Sequence, residues 1–510
     1  MLEEERKYEV DAGFRLPDLT ECVPEGGRLI VRPAQKLRAT YYDTPDLRLA
    51  RAGASLRFRR GDDEPWTVKL PTDAPGVRNE ISMMGPSSTP PERLVDLVTA
   101  YTRGAGVAAV VVLNTVRQAH QLCDREDRVA VEVVDDAVSV SDGRKVIGKF
   151  REIEVERKAG KAKLLDLVEA ALRDAGAAIG EFTPKHVRAL GAPAQQPLDW
   201  PEPPTRAPKR PTAADVVTAA IQLDIARIVT NDPLVRVRAT VGKNDTAVHQ
   251  MRVGCRRLRS DLRTFSAVLD RDWTASLRGE LSWLTHALGA ARDAEVLRER
   301  LVKTSTADAL VPLFEASVAR IDADLAARHE DALQALDKAM CEERYHRLLD
   351  SLLDAARSPR LVSPADEPAE MMLPGLVSLP WRRLAYGGSG VPGAGHLDPE
   401  GPDTSWHGVR INGKRARYGV EAVASVLGGE AAALASALAK VQGLLGEHQD
   451  AVVAADTWLA IANADPDDHA LAVTAGRLYE RERAAVRSVR SAFPATWRAA
   501  SRRRLTEWMR

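Results

Sequence analysis

Residues 3–10 read EEERKYEV, and this short stretch decides how the N-terminal part of the chain folds. Glu3, Glu5 and Lys7 fall on one face of a β-strand, because successive side chains of a strand point to opposite faces. A half-buried strand normally alternates apolar with polar residues, but here charged residues alternate with other charged residues. The pattern predicts either a strand that is wet on both faces or a strand with one face lining a space that favours charge.

The same period of two recurs in later short segments of residues 1–192. For any one segment, a solvated sheet face with ion pairs between strands explains the pattern. Together the segments favour a closed barrel with a charged lumen, in which carboxylates would hold divalent cations and basic side chains would hold phosphates. The residues that share a strand face in this way are Arg57 and Arg59, Thr67 and Lys69, Arg78 and Glu80, and Glu152, Glu154 and Glu156.

These segments resemble, in their order, the sequence blocks of CYTH domains, the triphosphate tunnel metalloenzymes. The motif Glu3-x-Glu5-x-Lys7 resembles the first block, and TYYDTPDLRLARAGASLRFRR at 40–60 resembles the next. WTVKLP at 66–71, an Asp135–Asp136 pair and EIEVERK at 152–158 follow. FTPKHVRAL at 182–190 resembles the late SKYxRA block, with Pro184 where Ser is usual and His186 where Tyr is usual. The resemblance covers about 1–192.

The resemblance implies an eight-stranded antiparallel β tunnel barrel with helices, which hydrolyses triphosphate groups with Mg²⁺ or Mn²⁺. By position, Glu5, Lys7 and Glu154 would be catalytic, and Glu80 and Asp135 would order basic side chains or the metal-bound water. The implied metal ligands are Glu3, Glu5, Glu152, Glu154 and Glu156. The implied triphosphate ligands are Lys7, Arg57, Arg59, Lys69, Arg78, Arg117, Lys185 and Arg188.

The remainder of the chain has a helical period. A proline-rich linker at 193–211 leads into long Ala-, Leu-, Arg- and Glu-rich segments at 212–510. Two halves, about 212–358 and 406–505, repeat each other: HQMRVGCRRLR from His249 matches HGVRINGKRAR from His407, and LGAARDAEV from Leu288 matches LGEHQDAVV from Leu445. The stretch between them, 359–405, is rich in Pro, Gly and Ser, and we expect an irregular connection there.

Each repeat places a basic stripe on one helix. At about 100° per residue, the first stripe lies beside an apolar stripe that runs from Val248 to Phe265. Exposure to solvent or pairing with acids would explain one such stripe, but the repetition favours a positive groove that binds a polyanion. Aromatic residues are not interleaved with the arginines, which disfavours nucleic acid. The stripes are His249, Arg252, Arg256, Arg259 and Arg263, and then His407, Arg410, Lys414 and Arg417.

This region resembles the CHAD domain, which is named for its histidines. The resemblance covers about 212–505 and implies two four-helix bundles related by a pseudo-twofold, with a basic surface that binds inorganic polyphosphate. The nine stripe residues would make the contacts, whereas Arg257 and Arg415 lie off the stripes and are weaker candidates. The histidines as metal ligands remain a minor alternative, since neither stripe supplies a second ligand nearby.

The composition is consistent with a cytoplasmic protein. The expected polyphosphate binding adds the hypothesis that the protein associates with polyphosphate granules. Lys plus Arg equals Asp plus Glu at 72 each, so basic and acidic regions balance. Four scattered cysteines form no CxxC pair and argue against a zinc site or a disulfide framework. The longest apolar run, GVAAVVVL at 106–113, is too short to span a bilayer, and the acidic N-terminus is unlike a signal peptide, so no membrane partner is expected.

We therefore predict an α+β multidomain protein in which a metal-dependent triphosphatase, cleaving phosphoanhydride bonds, is coupled to a polyphosphate-binding helical domain. Inorganic triphosphate is the favoured substrate. No GxxxxGK[ST] loop is present, which disfavours a P-loop nucleotide site. Two alternatives remain open: a non-catalytic adaptor that binds polyphosphate, and a tunnel enzyme that hydrolyses or cyclises ATP or acts on thiamine triphosphate. The oligomeric state stays open as well.

Overall fold

A computed structural model describes residues 2–11, 13–72, 77–142, 145–159, 162–179, 183–241, 245–308 and 311–509, without the side chains of Leu2, Glu3, Glu4, Val77 and Asp142. The chain separates into two compact units, Met1–Asp199 and Trp200–Arg510. The first is a β-barrel with short helices and the second is helical, so the fold class is α+β.

Ten strands form the sheet of the first unit, and eight of them close into a ring. The order around the ring is β1-β6-β5-β4-β3-β7-β8-β9, and β9 pairs with β1 to complete it. All of these pairings are antiparallel. The strands are β1 (Leu2–Glu9), β2 (Arg28–Val31), β3 (Gln35–Asp43), β4 (Ser55–Arg60), β5 (Trp66–Pro71), β6 (Val77–Met83), β7 (Ala108–Cys123), β8 (Val129–Asp142), β9 (Lys145–Arg157) and β10 (Ala178–Ile179).

The two faces of β1 explain why charged residues alternate in the opening stretch. Glu5 and Lys7 face the lumen of the barrel. On the outer face, Arg6 donates hydrogen bonds of 2.8 Å to Asp166 and Glu169 on a covering helix, α4 (Ala162–Asp174). One face of the strand therefore lines a charged lumen, and the other is covered by a helix.

A large hydrophobic cluster of the barrel unit lies outside the ring, between the sheet and α4. Strands β1, β8 and β9 contribute Tyr8, Val131, Val133, Ile153 and Val155, and α4 contributes Leu165, Val168 and Leu172. Successive side chains of a strand point to opposite faces of the sheet. Because the apolar residues of these strands face this cluster, the charged residues that alternate with them point into the lumen. The other helices of this unit are α1 (Arg48–Arg51), α2 (Glu92–Asp96), α3 (Thr99–Thr102) and α5 (Lys185–Leu190).

The helical unit repeats one four-helix arrangement. In the first half the four helices are α6 (Ala213–Arg236), α7 (Ala247–Thr264), α8 (Arg271–Ser305) and α9 (Glu315–Cys341), followed by α10 (Glu343–Arg357). In the second half they are α11 (Ala369–Tyr386), α12 (Asp403–Leu427), α13 (Gly429–Ala464) and α14 (His469–Ala500), followed by α15 (Arg503–Thr506). Helices α7 and α12, which carry the histidine segments, pack against each other. Short pairs β11 (Thr240–Val241) with β12 (Asp245–Thr246) and β13 (Gly387–Gly388) with β14 (Val391–Pro392) lie between helices.

The stretch 359–405 is not the irregular connection expected from its composition, because it contains α11. Pro374 and Pro380 lie inside this helix, each at the cost of a backbone donor. Leu373, Val377, Trp381 and Leu384 are buried at helical spacing, so apolar burial outweighs the low helix propensity. The first helix of the second half was therefore missed.

None of the helices in the described part of the chain combines the length and the apolarity that crossing a bilayer requires.

Candidate functional site

The lumen of the barrel is a cavity of about 660 Å³ lined mostly by charged side chains. Among the described residues, nine Lys and Arg side chains and seven carboxylates line it, so the cavity holds both signs with an excess of positive charge. Seven of the eight implied triphosphate ligands are in this lining: Lys7, Arg57, Arg59, Lys69, Arg78, Arg117 and Lys185. Three of the implied metal ligands are there as well: Glu5, Glu154 and Glu156.

Glu154 is the centre of the charge network in the lumen. The ammonium groups of Lys7 and Lys185 each lie 2.6 Å from its carboxylate, and Arg117 lies 3.4 Å away. Burial disfavours a charged carboxylate, but Lys185, Lys7 and Arg117 outweigh it and hold the pKa of Glu154 well below its usual value. Glu154 is therefore an ionised carboxylate that orients three cations.

A second carboxylate, Asp136, fixes the other side of the same cations. Arg117 forms two hydrogen bonds with it, of 2.9 and 2.7 Å, and Lys185 lies 2.7 Å away. Burial opposes the charge on Lys185, but Glu154, Asp136 and Glu152 outweigh it and raise the pKa of Lys185. Lys185 is thus a charged cation, and the two carboxylates hold it and Arg117 in place.

On the opposite wall, Glu80 lies 2.9 Å from Lys69 and 3.6 Å from Arg57. This placement suits the ordering role expected for Glu80.

Two implied site residues lie outside the described lining of the cavity. Glu152 is buried beside it, 3.1 Å from Lys185, and burial raises the pKa of Glu152. Arg188 stacks on the Phe150 ring at 4.6 Å and pairs with Glu9 at 3.4 Å. The side chain of Glu3 lies outside the described residues, so its metal role stays a prediction.

His186, where the resemblance leads one to expect Tyr, makes an aromatic contact. Its ring stacks on Tyr41 with centroids 4.8 Å apart and planes within 10°. Burial, followed by the charge of Arg78, lowers the pKa of His186 to about 3. His186 is therefore a neutral wall residue of the cavity.

The helical unit contains a second charged cavity, the basic groove, of about 880 Å³. Eleven arginines, one lysine and two histidines line it, against two carboxylates, among the described residues. All nine residues of the two predicted stripes are part of this lining. The apolar stripe faces the other way, since Met251, Cys255, Leu258 and Leu262 are completely buried.

The two carboxylates of the groove occupy equivalent positions in the two repeats. Asp293 lies 3.2 Å from Arg252, and Asp450 lies 3.9 Å from Arg410. Arg256, Arg259, Arg263 and Lys414 make no ion pair with any described residue, and the buried Nε atoms of Arg252, Arg259 and Arg410 have no hydrogen-bond partner there. The basic groove therefore concentrates positive charge that is only partly compensated.

This excess charge acts on the ionisation of the groove itself. Burial, and then the charges of Arg256, Arg410 and Arg252, lower the pKa of Lys414 to about 6. Burial also lowers the pKa of His249, while Asp245 opposes the shift. His407 shares a hydrogen bond of 2.5 Å with Gln449. An incoming anion would therefore meet dense positive charge and arginine N–H groups that can donate charge-assisted hydrogen bonds to it.

Comparison with known proteins assigns domain families to both parts of the chain. A family model of the CYTH domain matches residues 1–182, and a model of the CHAD domain matches residues 219–459. Two curated proteins of Mycobacterium tuberculosis, from strains CDC 1551 and H37Rv and both described as uncharacterized, are 32% identical to this chain, over 94% of it and 93% of their own length. The chain belongs to the family of proteins that join a CYTH domain to a CHAD domain.

Two solved structures are similar to part of the chain. PptA from Streptomyces chartreusis is 23% identical with a TM-score of 0.46, over 56% of this chain and 99% of PptA. The CHAD domain from the plant Ricinus communis is 24% identical with a TM-score of 0.44, over 57% of this chain and 96% of that domain.

The donor set of the CYTH tunnel fits a hard divalent cation. Glu5 and Glu132 each lie directly opposite Glu156 on neighbouring strands, which brings three carboxylates into one row. No group of three acidic, histidine or cysteine residues in the described part of the chain forms a ready ligand cluster. Mg²⁺ is usually held by one or two carboxylates together with substrate phosphates. An ion shared between Glu5, Glu156 and a phosphate chain therefore suits these residues.

Sequence reasoning missed three lumen carboxylates of the CYTH tunnel, Glu64, Glu132 and Asp136, and selected Asp135 rather than Asp136. Asp135 lies on the outer face, where Arg151 donates hydrogen bonds of 2.8 and 2.6 Å to it. Adjacent residues of a strand face opposite ways. Because Val131 and Val133 belong to the outer core, the period of two places Glu132 and Asp136 in the lumen. That apolar alternation was the available signal.

The CHAD groove also contains more arginines than the two stripes supplied. Arg257 and Arg415, which lie off the stripes, line it too, and Arg227, Arg278 and Arg292 join from neighbouring helices. Arg257 is paired with Glu421 at 2.6 Å, whereas Arg415 makes no ion pair with any described residue. A groove formed where α7 meets α12 is wider than one helix face. Selecting only residues that share one face of a single helix therefore left out the other arginines of the groove.

Proposed function

We propose that this protein is a metal-dependent triphosphatase, with inorganic triphosphate as the favoured substrate, and that its CHAD domain binds inorganic polyphosphate. The observation that carries the proposal is the lumen lining: cations oriented by carboxylates inside a closed antiparallel barrel. Triphosphate carries several negative charges on closely spaced oxygens, which cations in this arrangement bind by charge-assisted hydrogen bonds.

The residues of the tunnel divide the work by charge. Lys7, Arg57, Lys69 and Arg117 would bind and orient the phosphate chain and stabilise charge that develops on its oxygens. Glu154, Asp136 and Glu80 keep these cations in place. Glu5 and Glu156 would hold Mg²⁺ or Mn²⁺, which when bound offsets phosphate charge and lowers the pKa of a bound water.

For the CHAD domain, the support is the excess of positive charge in the basic groove. A long polyanion could neutralise Arg252, Arg256, Arg410 and Lys414 together and release its counterions. The absence of interleaved aromatic residues in the two stripes favours a polyanion without bases. Coupling, in which the groove supplies chain ends to the tunnel, belongs to the proposal because both cavities suit condensed phosphate.

The test is phosphate release by the full-length protein from inorganic triphosphate, ATP and long-chain polyphosphate, with Mg²⁺ and then Mn²⁺. Glu5→Ala provides the blank, and exposed Glu126→Ala is the matched control for a glutamate change outside the tunnel. We expect phosphate to be released fastest from inorganic triphosphate. This release should be lost in Glu5→Ala and kept in Glu126→Ala. Preference for ATP would favour the nucleotide alternative, and no release from a folded protein that binds polyphosphate would favour the adaptor.

Coupling is tested separately with the double variant Arg252→Ala and Arg410→Ala. If the groove supplies chains to the tunnel, turnover of long polyphosphate falls while turnover of triphosphate is kept. Equal turnover of long chains by the variant and the unmodified protein would refute coupling. It would leave the proposed triphosphatase activity and the proposed polyphosphate binding unaffected.

A further inference from the structure

The two repeats of the CHAD domain differ at one position in the middle of the basic groove. Arg256 follows His249 by seven residues, and Lys414 follows His407 by seven residues, so the two positions are equivalent. Lys414 is the one lysine in the described lining, and every other Lys or Arg there is an arginine. The second repeat therefore places a primary amine where the first has a guanidinium.

The surroundings of Lys414 are unusual for a lysine. Three guanidinium groups, those of Arg252, Arg256 and Arg410, act on its ammonium together with burial, and the carboxylate of Asp450 opposes them only in part. Lys414 makes no ion pair with a described residue, and its side chain is half-buried in the groove. Burial next to other cations gives such a lysine a larger share of the neutral amine, the nucleophilic form, than an exposed lysine has.

The same arginines suit the phosphate end of a small reactive anion. Guanidinium groups bind phosphate through paired hydrogen bonds, and the buried Nε atoms of Arg252 and Arg410 have no partner among the described residues. A small phosphate compound bound there would lie beside the amine of Lys414. The groove thus combines an anchor for phosphate with a nucleophile.

We propose that Lys414 is a site of acylation by acyl phosphates, which Arg252, Arg256 and Arg410 hold by their phosphate group. The proposal rests on the anion-binding role proposed for the groove. The ε-nitrogen attacks the carbonyl carbon, a C–N bond forms, and the C–O bond to phosphate breaks. The phosphate leaves with the bonding electron pair and takes up the proton that the nitrogen loses, so an amide and hydrogenphosphate are formed.

Acylation would oppose polyphosphate binding. An amide cannot become an ammonium when phosphate approaches, and the acyl group occupies space in the groove. Loss of one charge-assisted hydrogen bond weakens binding roughly tenfold. Arg256 cannot undergo this reaction at an ordinary rate, because the guanidinium stays protonated. The difference between the repeats would make one half of the groove responsive to acyl phosphates.

The experiment treats the full-length protein with acetyl phosphate at neutral pH and follows acetylation of each lysine by peptide mass spectrometry. Lys440, exposed on α13, is the internal reference. Lys414 should be acetylated at least about tenfold faster than Lys440, and long-chain polyphosphate should slow only Lys414. Acetylation of Lys414 no faster than Lys440 would overturn the proposal.

A neutral acyl donor, acetic anhydride, separates anchoring from simple reactivity. The preference for Lys414 should be smaller with the anhydride, because it has no phosphate for the arginines to hold. An equal preference would overturn the role assigned to Arg252, Arg256 and Arg410.

The functional consequence is measured as the ratio of polyphosphate affinities after and before treatment. This ratio should be roughly one tenth for the protein without substitutions, because acetylation of Lys414 weakens binding. It should stay near one for Lys414→Arg. Equal falls in both proteins would overturn the regulatory consequence. If the untreated protein fails to bind polyphosphate, the proposed function fails instead, so the two failures are distinguishable.

Discussion

Two lysines show how the CYTH tunnel differs from the CHAD groove. In the tunnel, Lys185 lies within 2.6–3.1 Å of Glu154, Asp136 and Glu152, and these carboxylates raise its pKa despite burial. In the groove, burial and three arginines outweigh Asp450 around Lys414 and lower its pKa to about 6. The tunnel compensates its charges before any ligand arrives, whereas the groove leaves that compensation to the ligand.

The difference matches two kinds of work. Catalysis requires charged groups that are already oriented when the reacting phosphate enters, so that no reorganisation is needed during the reaction. Binding a long polyanion requires many positive charges over an extended surface, and affinity then depends on salt. Carboxylates in the tunnel supply the orientation, and their scarcity in the groove leaves its charge available.

The largest effect is expected from Glu5→Ala. This change removes a lumen carboxylate proposed to hold the metal, whose contribution of several kcal/mol corresponds to a loss of about 10²-fold or more in phosphate release. Polyphosphate binding by the groove should be unchanged in the same protein. Phosphate-release and binding assays on one preparation measure both, and loss of both activities in a folded variant would contradict the division of labour.

Next in size is Glu154→Gln, which removes the carboxylate shared by Lys7, Lys185 and Arg117. Unpaired buried charge should lower the free energy of unfolding by roughly 3–5 kcal/mol. Thermal unfolding measures the change, and exposed Glu64→Gln at the tunnel wall is the matched control. The depressed pKa of Glu154 stabilises the fold above the ordinary carboxyl range, so the difference should shrink as pH falls through that folded pKa. A difference that grows in acid would argue against an ionised Glu154.

A smaller effect is expected in the groove. Replacing Arg252 and Arg410 together by Ala should weaken polyphosphate binding by roughly ten- to a hundredfold and reduce the slope of log affinity against log salt by about two. Exposed Arg347→Ala on α10 is the control. An unchanged salt slope would mean that these arginines do not contact the polyanion.

The smallest effect concerns pH. Bound phosphate should raise the pKa of Lys414 from about 6, so binding takes up a proton. Affinity should then rise, by at most about tenfold per pH unit, as pH falls from the pKa of the complex towards 6, and should level off below it. Calorimetry in buffers of different ionisation heat measures the uptake. Lys414→Arg should reduce it, and equal uptake in both proteins would assign the proton to another group, such as His249.

Much of this architecture was predictable from local patterns. Five of the eight ring strands, β1, β4, β5, β6 and β9, contain a segment selected by its period of two. Strands β2 and β10, at Arg28–Val31 and Ala178–Ile179, are too short to show a period. Helix α11 was missed because the stretch was judged by its composition, in which Pro374 and Pro380 disfavour a helix. Four apolar residues at helical spacing in the same stretch were given less weight.

The sequence by itself determined which residues share a face: Glu5 with Lys7, and His249 with Arg252 and Arg256. Only the tertiary structure decided what those faces meet. Closure of β9 onto β1 brings Lys7 to Glu154, and the packing of α7 on α12 brings Lys414 to Arg256. Charge interactions and desolvation depend on distances between elements far apart in the chain. For this reason strand and helix patterns predicted the charged faces, whereas the paired state of Lys185 and the lowered pKa of Lys414 followed only from the fold.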